Sequence, residues 1–182
     1  MTIRILLADD HRVVLDGLGL LLESRSNITV VGKAADGREA VQKARELRPD
    51  IVVMDIAMPK LNGIEAMAQI RETLPSVRVI ILSMHKTTEY VHRSLKAGAS
   101  GYLLKESTGT ELIDAVRAVS EGHVYLSRMI ADFVVDEYSQ YLRDGRSENL
   151  IERLSSRERE ILQLVAEGKS SAEIAEIIFL SP

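Results

Sequence analysis

Short apolar runs alternate with longer stretches of helical periodicity from the start of the chain up to Glu121. The runs are nearly unbroken and rich in β-branched residues and leucine, which is typical of strands buried on both faces of a sheet. They span Ile3–Ala8, Ile28–Ala34, Ile51–Met54, Val77–Leu82 and Gly101–Leu104. Parallel neighbours in a sheet need crossover helices, and the intervening stretches have helical spacing. The pattern therefore predicts an α/β fold with a five-stranded, parallel, doubly wound sheet.

Two of the predicted helices carry a recognisable start signal. The helical stretches cover Val13–Leu22, Glu39–Leu47, Ile64–Leu74, Tyr90–Leu95 and Leu112–Val119. Asp36 stands three residues before Glu39, and Asn62 stands three residues before Glu65. In this spacing the side-chain oxygen of the first residue accepts a hydrogen bond from an N–H group that the helix leaves unpaired. We expect Asp36 and Asn62 to cap their helices.

After Glu121 the strand pattern stops and only helices are predicted. Arg128–Leu142 has the apolar stripe of one amphipathic helix. Two short helices follow a polar linker, each opened by serine with glutamate three residues later: Ser155 with Glu158, and Ser170 with Glu173. The final Ser-Pro pair is typical of the start of a further helix. We predict a domain over residues 1–122, a linker with one helix over 123–153, and a partial all-α domain over 154–182.

Composition excludes several classes of protein. The 182 residues contain no cysteine, which rules out disulfides, thiol nucleophiles and cysteine-ligated metals. The formal net charge of -4 does not favour non-specific binding of nucleic acid by the whole chain. Charged residues interrupt the first apolar run, unlike the core of a signal peptide, and no apolar stretch approaches a membrane span. We expect a cytoplasmic protein that makes no membrane contact.

Polar and charged residues stand where four of the predicted strands end. These are Asp9 and Asp10, Asp55, Ser83 and Lys105. The carboxyl ends of parallel strands meet at one edge of the sheet, where open α/β folds bind ligands. Three carboxylates there repel one another unless a cation joins them, and oxygen ligands suit Mg²⁺. A lysine ammonium could bind phosphate, and a carboxylate could act as a nucleophile and form an acyl phosphate.

Each of these residues also has a simpler interpretation when it is taken alone. Asp9, Asp10 and Ser83 could cap the helices that follow, Asp55 could belong to a turn, and Lys105 could be a solvated lysine. The argument for a site is that all of them fall at strand ends on one edge. The four histidines have no metal-ligand spacing and no cysteine partner, so we interpret them as structural or surface residues.

The first part of the chain resembles the receiver domain of two-component response regulators, which has a flavodoxin-like sheet. The matching segments are LLADDH, VVMDIAMPKLNG, ILSMH and KAGASGYLLK. The resemblance implies that Asp55 is phosphorylated by a sensor histidine kinase. It also implies that Mg²⁺ is bound by Asp9, Asp10, Asp55 and the backbone carbonyl of Ala57.

The same resemblance assigns a role to three further residues. Lys105 would contact the phosphoryl group, and Ser83 would turn its hydroxyl toward it. Tyr102 would move between an outward and an inward position as the switch operates. One departure concerns Glu106, which follows Lys105 where many receiver domains have a proline with a cis bond. A cis bond before a residue other than proline costs about 2.5–4 kcal/mol, so none is assumed here.

The last part of the chain, LSSREREILQLVAEGKSSAEIAEIIFLSP, resembles the LuxR-type helix-turn-helix of the NarL/FixJ subfamily. In that family a recognition helix and a dimerisation helix come next, and neither lies in this sequence, which resembles a C-terminally truncated member. Leu154–Pro182 carries five acidic and three basic residues, so it offers no basic patch for phosphate contacts. We expect this chain to bind DNA weakly or not at all, and the intact protein to bind promoter DNA, with a homodimer as a possible phosphorylated form.

Three other functions fit the sequence less well than a regulator that is not itself an enzyme. The regulator would take part in chemistry only through its own phosphotransfer and dephosphorylation. An aspartyl phosphatase would need a second aspartate two residues after Asp55, where Ala57 stands. A flavodoxin-like cofactor carrier would need a phosphate-binding loop of serine, threonine and glycine after the first strand, where Asp9 and Asp10 would repel phosphate. An interaction module with an inactive receiver is disfavoured by the intact set of acidic residues and Lys105.

Overall fold

The computed structural model describes residues 2–85, 87–106 and 109–143, together with Gln163, Leu164 and Glu173. Six strands are present in this part of the chain: β1 (Ile3–Ala8), β2 (Ile28–Ala34), β3 (Ile51–Met54), β4 (Arg78–Ser83), β5 (Gly101–Leu104) and β6 (Tyr125–Leu126). The helices are α1 (Arg12–Glu23), α2 (Gly37–Leu47), α3 (Gly63–Thr73), α4 (Thr88–Lys96), α5 (Gly109–Glu121) and α6 (Arg128–Arg143). Strands and helices alternate along the chain, as the periodicity predicts.

All strands pair in parallel in the order β2-β1-β3-β4-β5-β6. The predicted parallel, doubly wound sheet is confirmed, but the prediction of five strands is wrong by one. Strand β6 has only two residues and lies in the segment that was predicted to be a linker. Tyr125 N–H donates to the carbonyl of Ser100, and Ser127 N–H donates to that of Tyr102. A two-residue strand leaves no periodic pattern, so the sequence gives no sign of it.

Alternate residues of each central strand point into two separate cores. One core lies under α2, α3, α4 and α6, and the other lies under α1 and α5. In β3, for example, Val52 and Met54 face the first core while Ile51 and Val53 face the second, and all four are buried. Burial on both faces explains why the central strands are unbroken apolar runs in the sequence.

The two predicted helix caps are confirmed. Asp36 Oδ1 accepts from the N–H of Glu39 at 2.9 Å, and the Glu39 carboxylate accepts from the N–H of Ala35 at 2.7 Å. Asn62 Oδ1 accepts from the N–H of Glu65 at 3.0 Å. Both caps lie at the carboxyl edge of the sheet, so they fix the loops that lead from β2 and β3 into the next helix.

Arginine side chains from other elements donate hydrogen bonds to carbonyls at the C-terminal ends of three helices. Arg4 donates to the carbonyl of Leu47 at the end of α2 at 2.7 Å, and Arg71 donates to the carbonyl of Ala97 after α4 at 3.0 Å. Arg78 donates to the carbonyls of Val119 and Ser120 in the last turn of α5. Terminal carbonyls of a helix have no partner within it, and they carry partial negative charge. Each guanidinium therefore joins a helix end to a neighbouring element.

Helix α6 belongs to the first core over its N-terminal half. Ile130, Ala131 and Val134 are buried there, while Phe133, which the apolar stripe placed with them, is 38% exposed. The predicted linker and the two short helices after α6 lie outside the described residues, except that Gln163, Leu164 and Glu173 are described and helical. Among the helices in the described part of the chain, none is long and apolar enough to cross a membrane.

Two glycines allow a matched test of the packing around the carboxyl edge. A Cβ atom at Gly63, the first residue of α3, would lie 2.0 Å from the carbonyl oxygen of Asp55, whereas nothing lies within 4 Å of a Cβ at Gly17 in α1. Gly63→Ala should lower the free energy of unfolding by about 2 kcal/mol or more through overpacking against backbone. Gly17→Ala should raise it by about 1 kcal/mol through helix propensity.

Urea denaturation of both variants beside the unsubstituted chain measures these changes. The packing interpretation is wrong if the two substitutions change the unfolding free energy in the same direction.

Candidate functional site

The carboxyl edge of the sheet brings the predicted residues together. Asp9 and Asp10 follow β1, Asp55 follows β3, Ser83 is the last residue of β4, and Lys105 follows β5. The backbone fixes this arrangement, because Asp55 N–H donates to the carbonyl of Ala8 at 2.9 Å and Lys105 N–H donates to that of Ser83 at 2.8 Å. Strands β1, β3, β4 and β5 are neighbours in the sheet, so their ends form one continuous edge.

Lys105 forms ion pairs with two buried carboxylates. Its Nζ lies 2.6 Å from Asp9 Oδ2 and 2.8 Å from Asp55 Oδ2, and the two carboxylate side chains are 3% and 4% exposed. Burial of the ammonium tends to lower the pKa of Lys105, but its hydrogen bonds and charge interactions with Asp55 and Asp9 outweigh this effect and raise the pKa. The lysine therefore carries its charge at neutral pH and compensates the charge that the aspartates bring into the interior.

His11 contributes a contact that the sequence interpretation missed. The ring Nδ1 of His11 lies 2.8 Å from Asp10 Oδ1 and 3.2 Å from Asp9 Oδ1. The backbone N–H of His11 donates to Asp9 Oδ1 at 2.8 Å. The side chain is 68% exposed, as a surface histidine would be, yet the ring covers the acidic pair. The signal in the sequence was direct adjacency in Asp-Asp-His, because the turn into α1 holds consecutive residues at the same edge.

The acidic residues form a cluster that could hold a metal ion. Asp9, Asp10, His11 and Asp55 each offer one ligand atom, and these atoms all lie within 4.8 Å of one another. The donors are carboxylate oxygens with one imidazole at the solvent side, and Asp10 is the most exposed of the three carboxylates. Ala57, whose carbonyl completes the predicted set, lies two residues after Asp55 in the loop between β3 and α3. A hard divalent cation that keeps several waters fits such a donor set.

A second cluster joins the end of β4 to β5. Ser83 is fully buried, and its Oγ accepts from the N–H of His85 at 3.1 Å. Tyr102 is also fully buried, and its hydroxyl donates to the carbonyl of His85 at 2.8 Å. The His85 ring stacks on that of Tyr90 at the start of α4, with ring centroids 4.2 Å apart. Burial raises the pKa of Tyr102, so its hydroxyl keeps its proton and remains a donor.

The capping explanations for single residues do not account for this edge. The residue at the N-cap of α4 is Thr87, so Ser83 does not cap that helix. His11 occupies the N-cap of α1 and its own side chain forms no capping hydrogen bond, although Asp9 Oδ1 accepts from the His11 backbone N–H. No cis peptide bond occurs in the part of the chain that the structure describes, which includes the bond between Lys105 and Glu106.

The fold is that of a receiver domain, and comparison with known families agrees. The family model described as response regulator receiver domain matches residues 5–117. A second model, described as bacterial regulatory proteins of the luxR family, matches residues 152–182. The two matches lie on the two parts of the chain that the sequence resemblances cover.

One relative matches nearly the whole chain, and two solved structures match a smaller share of it. The oxygen regulatory protein NreC of Staphylococcus epidermidis is 40% identical over 182 residues, which cover 98% of this chain and 84% of that protein. The crystal structure of a LuxR-family two-component response regulator from Aurantimonas sp. is 41% identical with a TM-score of 0.73, and the match covers 75% of this chain and 98% of that one. A chain of the CheX-CheY-BeF₃-Mg²⁺ complex from Borrelia burgdorferi is 30% identical with a TM-score of 0.61, covering 64% of this chain and 88% of that one.

The chain is a two-component response regulator with a receiver domain and a LuxR-type DNA-binding domain. It belongs to the NarL/LuxR family of response regulators. The relatives that it resembles are transcriptional regulators.

The position of Lys105 predicts how the acidic cluster responds to a cation. Removing the ammonium by Lys105→Met should make the cluster bind Mg²⁺ more tightly, because the lysine charge opposes a cation beside the same two carboxylates. A unit charge about 4 Å away is worth ~1 kcal/mol even at the dielectric constant of water, so we expect at least about a fivefold lower Kd.

Mg²⁺ titration followed by NMR chemical shifts measures this change, with circular dichroism to verify folding. Lys96→Met removes an equal charge at the far end of α4 and serves as the matched control. Equal or weaker Mg²⁺ binding by Lys105→Met would contradict the inferred competition.

Proposed function

We propose that Asp55 accepts a phosphoryl group from a phosphohistidine of a sensor kinase and that this modification switches a transcriptional regulator. The observation that carries the proposal is the Asp55 carboxylate, which is buried at the carboxyl end of β3 and bonded to the Lys105 ammonium. A buried acidic residue beside a cation at a ligand-binding edge is a candidate for chemistry. The similar proteins that regulate transcription support a signalling role for that chemistry.

In the proposed transfer, one Asp55 oxygen forms a bond to phosphorus as the bond between phosphorus and the kinase imidazole breaks. The electron pair of the broken bond stays on the imidazole nitrogen, and the product on this chain is an acyl phosphate. Asp55 already has its second oxygen, Oδ2, bound by Lys105 at 2.8 Å, so the carboxylate is held in place. The ammonium is close enough to contact the incoming phosphoryl group and to stabilise its charge.

The metal in this proposal is Mg²⁺, held by Asp9, Asp10, Asp55 and the backbone carbonyl of Ala57. When bound, it would neutralise charge on the transferring phosphoryl group. The acidic cluster offers the oxygen donors that this ion prefers. A similar chain from Borrelia burgdorferi occurs in a complex that contains Mg²⁺ and BeF₃, which supports the choice of ion.

The proposed switch uses the cluster of Ser83, His85 and Tyr102. Ser83 Oγ accepts a hydrogen bond from His85 N–H, and turning its hydroxyl toward a phosphoryl group on Asp55 would change that contact. Tyr102 holds the same loop through the carbonyl of His85, in an inward position. Phosphorylation can shift this equilibrium only by the difference in its contacts between the two states. New contacts from Ser83 and Lys105 to the phosphoryl group supply that difference.

The output of the switch would pass through α4 and α6. Tyr102, Val91 of α4 and Ile130 of α6 belong to one core, and Leu164 of the C-terminal part packs against the same core. A change in the loop around His85 would therefore alter the surface that the DNA-binding part contacts. We propose that this change frees the LuxR-type part for promoter DNA or promotes a homodimer. In this proposal residues 1–122 form the receiver, 123–153 the linker and 154–182 part of the helix-turn-helix domain.

The first test is the intact mass of the chain after incubation with acetyl phosphate. We expect one added phosphoryl group that requires Mg²⁺ and is absent in Asp55→Asn. Asp16→Asn provides a control, because Asp16 is an exposed aspartate paired with Lys33 outside the acidic cluster. It should be modified to the same extent as the unsubstituted chain.

Modification of Asp55→Asn to the normal extent would show that another residue accepts the group. The proposed receiver chemistry would be overturned by two results together. The unsubstituted chain would gain no mass with acetyl phosphate, and its NMR spectrum would not change when BeF₃ and Mg²⁺ are added.

A further inference from the structure

The loop between β3 and α3 contains an unusual turn at Lys60. Its φ angle is 62°, and among the described residues only Arg48 shares a positive φ without being glycine. Leu61 N–H donates to the carbonyl of Pro59 at 2.7 Å, so the chain reverses tightly around Lys60. A left-handed backbone is unfavourable for a residue with a long side chain, and it persists only where surrounding contacts hold it.

The contact that holds Lys60 is an ion pair with Asp36. Lys60 Nζ lies 2.6 Å from Asp36 Oδ2, while the other carboxylate oxygen caps α2 through the N–H of Glu39. The Asp36 side chain is 8% exposed, so the ammonium reaches a carboxylate that is largely shielded from water. The hydrogen bond from Lys60 is the main reason that the pKa of Asp36 is lowered. Both carboxylate oxygens therefore have a structural partner.

Backbone packing ties the same loop at two further points. A Cβ at Gly37, the first residue of α2, would lie 2.0 Å from the carbonyl oxygen of Leu61, so the turn rests directly on α2. The carbonyl of Ile56 accepts from the N–H groups of Met58 and Gly63 at 3.0 and 2.9 Å, which closes residues 56–63 into a loop. Ala57 lies at the start of this loop and Lys60 in its middle. A change in the turn at Lys60 is thus transmitted to the backbone around Ala57.

We propose that Lys60 is a positioning residue, whose ion pair with Asp36 holds the loop so that the carbonyl of Ala57 faces the metal. This proposal rests on the proposed function, since it assigns the Ala57 carbonyl to the Mg²⁺ site. Lys60 itself touches neither the acidic cluster nor the phosphorylated residue. Its role is to hold a strained turn from outside, as residues behind metal ligands commonly do.

The charge on Lys60 allows positioning to be distinguished from simple electrostatics. Lys60→Gln removes a positive charge near the carboxyl edge, which by electrostatics alone would make Mg²⁺ bind more tightly. Loss of positioning predicts the reverse, a Kd raised about tenfold, which is the lower end of the effects seen for outer-shell residues. Lys60 is 65% exposed, so its ion pair contributes little to global stability and the variant should fold normally.

The experiment compares four variants of the full chain. Lys60→Gln breaks the ion pair, Lys60→Arg keeps it, and Asp36→Asn removes the charge while leaving an effective helix cap. Lys43→Gln is the matched control, because Lys43 forms an ion pair with Glu39 on α2 at 2.8 Å and does not contact the loop. The first readout is amide hydrogen exchange of Met58, Leu61 and Gly63 in metal-free protein. The second readout is the Mg²⁺ Kd from an NMR titration.

The expected result is faster exchange at these amides in Lys60→Gln and Asp36→Asn, with weaker Mg²⁺ binding by Lys60→Gln. Lys60→Arg should keep the exchange rates and the Mg²⁺ Kd of the unsubstituted chain. Lys43→Gln should neither speed exchange at these amides nor weaken Mg²⁺ binding. Unchanged exchange in Lys60→Gln, or Mg²⁺ binding as tight as in the unsubstituted chain, would overturn the proposal. If the unsubstituted chain fails to bind Mg²⁺ at all, the proposed metal site fails, and the exchange data still report whether Lys60 holds the loop.

Discussion

The ion pairs of Lys105 with Asp9 and Asp55 are the interaction on which the carboxyl edge depends. Two carboxylates with almost no exposure to water stand side by side, and an ammonium from the end of β5 compensates both. Removing charges from water is costly unless they are paired and hydrogen-bonded. The arrangement thus holds the ends of β1, β3 and β5 together while leaving a group whose partner can be exchanged. One ammonium between two carboxylates leaves the network with a net negative charge, which favours a cation arriving at this edge.

The network reaches the rest of the molecule through short, buried connections. Ser83 lies beside Lys105 through a backbone hydrogen bond, and the loop after Ser83 is held by the hydroxyl of Tyr102. Tyr102 in turn belongs to the same core as α4 and the first half of α6. Close-packed interiors respond to a displaced side chain by repacking discretely. The described contacts therefore provide a continuous path from the proposed modification site to the surface against which Leu164 packs.

Much of this edge could be predicted from the sequence, because the carboxyl ends of parallel strands lie at the same edge of a sheet even when the residues are distant in the chain. Once Ile51–Met54 and Gly101–Leu104 are assigned as parallel strands of one sheet, Asp55 and Lys105 are placed at the same edge, although they are far apart in the chain. Strand β4 lies between them, and the long side chain of Lys105 makes the contact. The caps at Asp36 and Asn62 were predictable because their signals are local.

Other features could not be predicted, for reasons that differ. Strand β6 is too short to have a period, and its pairing depends on a place left open beside β5. The contact of His11 with the acidic pair depends on the geometry of one turn. The ion pair between Lys60 and Asp36 joins two loops, and a positive φ at a lysine has no sequence signal. Such features follow from the assembled structure and are not encoded in any local pattern.

The arginine contacts at the helix ends give the molecule two ends of different chemical character. Arg4, Arg71 and Arg78 bind helix carbonyls at the edge opposite the acidic cluster. Each of these arginines joins a helix end to another element, so the contacts cross-link that end of the molecule. The other end carries the carboxylates and the lysine to which the proposed function assigns metal binding and phosphorylation. In the proposed function, the cross-linked end would hold the strands and helices in place while the loops at the other end change their contacts.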